Sequence, residues 1–170
     1  ITSLMWYALR SVGLPVNYDY IIQWANRSQS HSWNSLWVDS VLYSFGMSDP
    51  EFGKHFESRP QERVGKVYRK MFSFQPQSLP NQRGALAEGI PPAFRSPFIK
   101  DVSESYFDGI DLVLKLTIPI AAPKKFAYLV VFDNRNWVPV AWSRIKRGRV
   151  AFDHVEKGCA YMVMYYDRGL

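Results

Sequence analysis

One histidine, His31, has a sequence setting in which its side chain could take part in proton transfer. It lies in the polar segment Ser28–Asn34, between two stretches whose β-branched and aromatic residues predict strands. A histidine at the start of a strand can be aimed by the sheet, and its imidazole exchanges a proton near neutral pH. His31 is therefore the first candidate for chemistry in this chain.

Other side chains that could do chemistry have plainer explanations. Cys159 is the single cysteine, which excludes an internal disulfide and a multi-cysteine zinc site, and its place in an apolar strand predicts a buried structural thiol. His55 and His154 have no partner at metal-ligand spacing, so we expect both on the surface and no metal. The chain has no phosphate loop or dinucleotide fingerprint, so we expect no cofactor.

The composition predicts a globular chain with one sizeable core. Of the 170 residues, 47% are hydrophobic and 21% are charged, which is too even a mixture for disorder. The net charge of +6 permits binding to nucleic acid, but the basic residues are scattered except for Arg144, Lys146, Arg147 and Arg149 around Gly148. We favour a solvated hairpin turn there over a functional patch. No apolar run approaches the roughly 20 residues needed to cross a bilayer.

The first half of the chain predicts one helix followed by an antiparallel meander. The helix has no cap before it and ends at Gly13, because Pro15 blocks its continuation; we therefore expect residues upstream of Ile1. Asp39 and Ser40 supply a tight turn. The predicted elements are a helix over Thr2–Val12, strands over Val16–Trp24, Ser32–Val38, Val41–Phe45 and Lys66–Phe74, and short helices near Pro50–Glu57 and Gln82–Glu88.

The second half predicts only β-structure. Five prolines make Gln75–Pro97 an irregular connection and the predicted boundary between two units. The strands predicted beyond it are Leu112–Ile118, Phe126–Phe132, Trp137–Trp142, Val150–Phe152 and Ala160–Tyr166. Short strands spaced by turn residues are typical of a small sandwich. The predicted fold class is α+β, with a helix and antiparallel sheet in residues 1–97 and an all-β, sandwich-like extension in residues 98–170.

Short motifs, in this order, resemble the transglutaminase-like superfamily of papain-fold cysteine peptidases and acyltransferases. Arg10–Pro15 reads Arg-Ser-Val-Gly-Leu-Pro at the helix end, His31–Asn34 reads His-Ser-Trp-Asn at a strand start, and an acidic loop follows the next hairpin. Gln23–Arg27, Lys66–Arg69 and Trp137–Trp142 are similar to segments of a bacterial cell-envelope branch. The resemblance implies a truncated transglutaminase-like core and an extracytoplasmic location, in the periplasm or at the cell surface.

The resemblance also implies a mechanism. A cysteine at a helix N-terminus has a lowered pKa, a histidine accepts its proton and a carboxylate orients the imidazole, so that the thiolate can attack an amide carbonyl. His31 would be the base and Asp49 the carboxylate, although the acidic position could equally align with Ser48. The nucleophile would fall before Ile1, so the 170 residues cannot perform acyl transfer alone. Either the upstream sequence has the cysteine or the parent protein has lost it.

The residues around His31 are expected to bind the substrate, a peptide or isopeptide amide that could belong to a cell-envelope polymer. They are Gln23, Trp24, Asn26, Arg27, Trp33 and Asn34. Core packing explains Trp33 more simply, and hydrogen bonding at a strand edge explains Gln23 or Asn34 at least as well as an oxyanion contact. We expect no nucleic-acid partner. The alternative function is a non-catalytic glycan- or peptide-binding module, because 16% of the residues are aromatic.

Overall fold

The computed structural model describes residues 1–47, 49, 51–56, 61–117 and 124–167, which are mostly antiparallel sheet with few helices. The elements are α1 (Thr2–Ser11), β1 (Asn17–Ile21), β2 (His31–Val38), β3 (Val41–Phe45), β4 (Tyr68–Lys70), α2 (Ala85–Glu88), β5 (Ile99–Asp101), β6 (Ile110–Lys115), β7 (Phe126–Asp133), β8 (Asn136–Arg144), β9 (Arg149–Val155) and β10 (Met162–Met164). No helix in these ranges is long and apolar enough to span a membrane.

The first sheet contains five strands in the order β3-β2-β1-β4-β5, and every neighbouring pair is antiparallel. Asp39 and Ser40 form the predicted turn between β2 and β3, with φ angles of 47° and 66°. Two consecutive residues with positive φ match the right-handed twist of a hairpin. The sheet-rich prediction is confirmed, and the predicted strand Val41–Phe45 has the observed bounds.

Helix α1 packs on one face of this sheet. Trp6 is its one buried residue, and it forms a cluster with Val16 and Phe45, against which Tyr18 and Leu36 pack. The prediction of a helix over Thr2–Val12 is confirmed to within one residue. The helix ends there because Gly13 adopts a φ of 90°, which favours glycine.

Beyond residue 109 the strands form two small sheets that share a core. One has the order β10-β7-β8 and the other pairs β6 with β9. Side chains from both sheets meet in one buried cluster, including Leu129 and Ala141 from the first and Val150, Phe152 and Val155 from the second. The sandwich-like extension over residues 98–170 stays a prediction.

A second cluster joins this region to the first sheet. Tyr68 and Ile99 of the first sheet pack with Phe126 and Tyr128 of β7, and Tyr68 Oη donates a 2.7 Å hydrogen bond to the Val140 carbonyl oxygen. Strand β5 follows the predicted boundary at residue 97, yet it pairs with β4 of the first sheet. The division into two units therefore stays a prediction, and one core spans it.

The strands predicted over Val16–Trp24 and Ala160–Tyr166 are longer than the observed β1 and β10, and two further predicted elements differ more. The strand predicted over Lys66–Phe74 pairs only within β4, because the chain then leaves the sheet and exposes Phe72 and Phe74. In the segment predicted as a helix near Pro50–Glu57, residues 51–56 form turns, while Pro50 and Glu57 lie outside the described residues. Ser48 and the last residue of the strand predicted over Leu112–Ile118 lie outside them too.

Candidate functional site

The start of β2 lies beside the start of α1. Thr2 Oγ1 donates a 3.1 Å hydrogen bond to the Ser32 carbonyl oxygen, and Ser32 Oγ lies 3.3 Å from Thr2 Oγ1. His31 is the first residue of β2, pairs with Ile21 and is half-buried. Because neighbouring side chains leave a strand on opposite faces, the His31 ring lies on the face away from α1. A group at the start of α1 could therefore reach the His31 ring only by passing around the end of β2.

A second histidine connects His31 to a carboxylate. His31 Nε2 and His55 Nε2 are 2.9 Å apart, and His55 Nδ1 is 2.7 Å from Asp49 Oδ2. The Gly46 backbone N–H donates to the same Asp49 oxygen at 2.6 Å. The side chains of His55 and Asp49 are 3% and 5% exposed, so water competes little for these bonds. We call the connected residues Asp49, His55 and His31 the histidine relay.

The protons of the histidine relay can be assigned from its hydrogen bonds. An ionised Asp49 only accepts, so Nδ1 of His55 carries the hydrogen. In a neutral His55 the other nitrogen is then an acceptor, and the hydrogen between the rings belongs to Nε2 of His31. In a neutral His31 with hydrogen on Nε2, Nδ1 carries the lone pair. A positive charge on His31 would be shared along the relay with Asp49.

Aromatic rings fix the orientation of both imidazoles. The His31 ring stacks on Trp24 with centroids 5.3 Å apart, and the two imidazoles are nearly parallel, with an interplanar angle of 6°. Trp33 stacks on both histidines, and Phe56 meets the edge of the His55 ring at 87°. These contacts leave the relay little rotational freedom, which is the property a preorganised proton acceptor needs.

A buried ion pair between Asp19 and Arg69 is linked to Trp33 through Tyr106. Trp33 Nε1 donates to Tyr106 Oη at 2.9 Å, and Tyr106 in turn donates to Asp19. Asp19 also accepts both a Ser35 hydroxyl hydrogen and a two-pronged contact from Arg69, at 2.7 and 2.8 Å. Burial, and then the Asp19 charge, raise the pKa of Tyr106 well above its ordinary value. The phenol therefore stays protonated and can donate.

The buried members of the predicted substrate-binding set hold the site together. Gln23 Nε2 donates to the Arg27 carbonyl oxygen at 2.6 Å. Trp24, Trp33 and Asn34 are 0% exposed, so their side chains offer a substrate no surface in this structure. Within the described ranges, Trp24 Nε1 and Asn34 Oδ1 lack hydrogen-bond partners, although Asn34 Nδ2 donates to a backbone oxygen.

Asn26 and Arg27 are the exposed members of that set. Asn26 bonds to backbone groups of Gln61 and Arg63 and so ties its loop to the segment before β4. The Arg27 guanidinium lies 4.8 Å from the centroid of the Trp24 ring and 2.6 Å from Glu62 Oε1. Arg27 is thus connected to the relay through Trp24, which stacks on His31. The substrate-binding role of all six residues of the set stays a prediction.

Sequence reasoning missed His55. The prediction that His55 lies on the surface is wrong, because the residue is 2% exposed and sits between His31 and Asp49. Asp49 therefore reaches His31 only through His55. The sequence feature that could have indicated the burial of His55 is its aromatic neighbour Phe56, in a segment otherwise rich in turn residues. His154 is half-buried, with Nε2 close to the Phe107 carbonyl oxygen.

Cys159 has no feature of a reactive thiol. It is half-buried rather than fully buried as predicted, and its Sγ lies 3.8 Å from the Lys157 carbonyl oxygen. Burial raises the pKa of the Cys159 thiol, which disfavours the thiolate. In the described part of the chain, no three His, Cys, Asp or Glu residues are grouped as a metal site would require.

Comparison of the chain with models of known protein families, with curated proteins and with solved structures found no match. The transglutaminase-like resemblance therefore rests on the order of the sequence motifs. The functional argument rests on the site itself.

Proposed function

We propose that this chain is part of a transglutaminase-like cysteine acyltransferase or peptidase that acts on peptide or isopeptide amides outside the cytoplasm. The observation that carries the proposal is the histidine relay, in which a buried carboxylate and a buried imidazole orient His31 at the end of β2. Titratable groups held together by buried partners are candidates for a functional site, and a positioned histidine is the commonest general base.

In the proposed mechanism His31 is the general base. Its Nδ1 takes the proton of a cysteine thiol, the thiolate attacks the amide carbonyl carbon, and the same proton is then given to the leaving amine. Attack of water or of a second amine on the thioester completes hydrolysis or transfer. His55 and Asp49 are positioning residues, which hold the imidazole and stabilise its positive charge.

The proposal assigns the cysteine to sequence upstream of Ile1, where the resembling family has it at the start of the helix. Thr2 contacts Ser32, the residue after His31, on the face of β2 opposite the His31 ring, so the upstream cysteine would have to reach the imidazole around the end of β2. The thiolate would gain from the helix dipole at the start of α1. The first test is therefore the natural sequence immediately upstream. Absence of a cysteine from the residues immediately upstream of Ile1 would end the enzyme proposal and leave the non-catalytic binding module.

The second test measures activity of the protein that includes its natural upstream sequence. A glutamine-containing peptide is offered with and without a primary amine, and release of ammonia and incorporation of the amine are followed. We expect His31→Gln to lower kcat by about 10³-fold or more, as removal of a triad member does. His154→Gln is the matched control, a half-buried histidine outside the relay, and should leave kcat unchanged. Equal activity of His31→Gln and the unaltered protein would refute the mechanism.

A further inference from the structure

A cleft of about 800 Å³ separates the edge of the first sheet from the β8–β9 hairpin. Lys100 of β5 lies on one wall, and Arg144, Lys146 and Arg149 lie on the other. Its volume falls in the range of about 300–1,000 Å³ that is usual for small-ligand sites, which often form where two parts of a fold meet. The cleft is separate from the histidine relay, none of whose members lines it.

The charge in the cleft is strongly unbalanced. Five cationic side chains and two carboxylates line it, which leaves a net charge of +3, half of the chain's net charge of +6. Lys66 is 3% exposed and holds Asp101 at 2.5 Å, so this pair is internally neutralised. Among the described residues, Lys100, Arg144, Lys146 and Arg149 have no carboxylate within 4.0 Å. Four cations that face one cavity without counter-charges favour an anionic occupant.

Lys66 connects the two walls of the cleft. Besides Asp101, the Lys66 ammonium donates to the carbonyl oxygens of Asp153 and His154, at 2.8 and 3.2 Å, which links the first sheet to β9. The Arg144 guanidinium lies 4.8 Å from the centroid of the Phe126 ring. Of the four cations that have no carboxylate partner among the described residues, Arg144 is held by this ring contact, which lowers the conformational entropy it would lose on binding.

The edges of the cleft disfavour a peptide strand. The Ile99 carbonyl oxygen of β5 accepts from Ser78 Oγ at 2.7 Å, and the Ala151 N–H of β9 donates to Ser143 Oγ at 3.0 Å. These side chains occupy backbone groups that an added strand would need. Successive bases of a nucleic acid would need a series of exposed rings, and Trp142 is the one aromatic lining residue that is not buried.

We propose that this cleft binds a short acidic oligosaccharide, with Lys100, Arg144, Lys146 and Arg149 contacting its carboxylate or sulfate groups and Trp142 lying against a sugar ring. The indole ring of a tryptophan has an apolar face and a polar N–H, which suits a sugar ring that is apolar on its faces and polar at its edges. The proposal is independent of the proposed function, because it uses no residue of the histidine relay.

The test is calorimetric titration of the full chain with trigalacturonate, a heparin tetrasaccharide and neutral maltotriose. We expect one or both acidic sugars to bind with a dissociation constant below 1 mM, weakening as salt is added, and maltotriose not to bind. The two acidic probes distinguish a carboxylate from a sulfate as the recognised group. Failure of both to bind would overturn the proposal.

Substitutions that reverse the charge of basic side chains test whether the acidic sugar binds in the cleft. Lys146→Glu combined with Arg149→Glu should weaken binding at least tenfold. Arg147→Glu is the matched control, because Arg147 belongs to the same exposed turn but does not line the cleft. An equal loss with Arg147→Glu would show general attraction to a basic protein and would overturn the proposal. Tighter binding of hexaglutamate or a hexathymidylate, lost in the same double variant, would assign the cleft to that class instead.

Discussion

Replacement of Asp19 by Asn tests the buried ion pair that supports Trp33. Asp19 is 0% exposed and accepts hydrogens from Ser35, Tyr106 and two nitrogens of Arg69, whose side chain is 13% exposed. An amide removes the negative charge and turns an N–H₂ group toward these donors. Breaking a buried pair from one side costs about 3–5 kcal/mol. At about 2–4 °C per kcal/mol, the expected loss in Tm is about 6–20 °C.

Urea unfolding followed by tryptophan fluorescence measures the effect. Arg69→Met alone should be destabilising too, because it leaves the Asp19 carboxylate buried without its ion-pair partner. The double variant should cost about 1–3 kcal/mol less than the sum of the single changes, since it leaves neither charge buried alone. Asp108→Asn is the control, because the Lys157–Asp108 pair is 2.8 Å long but exposed, and it should leave the midpoint unchanged. Loss of less than about 1 kcal/mol in Asp19→Asn would refute this reasoning.

Two further predictions concern stability. Burial raises the pKa of Glu156 above its ordinary 4.5, so near and above that pH the folded state binds more protons than the unfolded state. The free energy of unfolding therefore falls as the pH rises above about 4.5. Glu156→Gln should flatten the decline between pH 4 and 7, and parallel urea midpoints for the two proteins across that range would contradict it. A Cβ at Gly109 would lie 2.8 Å from the His154 backbone carbon, so Gly109→Ala should cost about 1–3 kcal/mol. Gly148→Ala should cost less, about 1 kcal/mol, because a Cβ there meets nothing within 4 Å and only the φ of 70° opposes it. A lower thermal midpoint for Gly148→Ala than for Gly109→Ala would refute the steric argument.

Local patterns were enough to predict much of the fold. The apolar spacing of Thr2–Val12 with Gly13 and Pro15 marked α1, and alternation with the Asp39–Ser40 turn marked β2 and β3. Such features depend on neighbours within a few residues. The prediction for Lys66–Phe74 was too long because strand length depends on partner strands, which periodicity does not reveal.

The site was less accessible from sequence because its contacts are long-range. Asp19 and Arg69 are 50 positions apart, and Tyr106 is 87 positions from Asp19. His31 and Asp49 were selected from motif order, whereas His55 was missed because its burial depends on how the segment after β3 folds back onto β2. No periodicity in that segment predicts such a return.

The protonation of the two imidazoles tests the central claim most directly. Long-range proton–nitrogen NMR correlations on the full chain report which ring nitrogen of each histidine carries hydrogen near neutral pH. The histidine relay predicts hydrogen on Nδ1 of His55 and on Nε2 of His31, with the His55 preference lost in Asp49→Asn. Hydrogen on Nε2 of His55, or tautomers unaffected by Asp49→Asn, would contradict a chain of hydrogen bonds from Asp49 to His31.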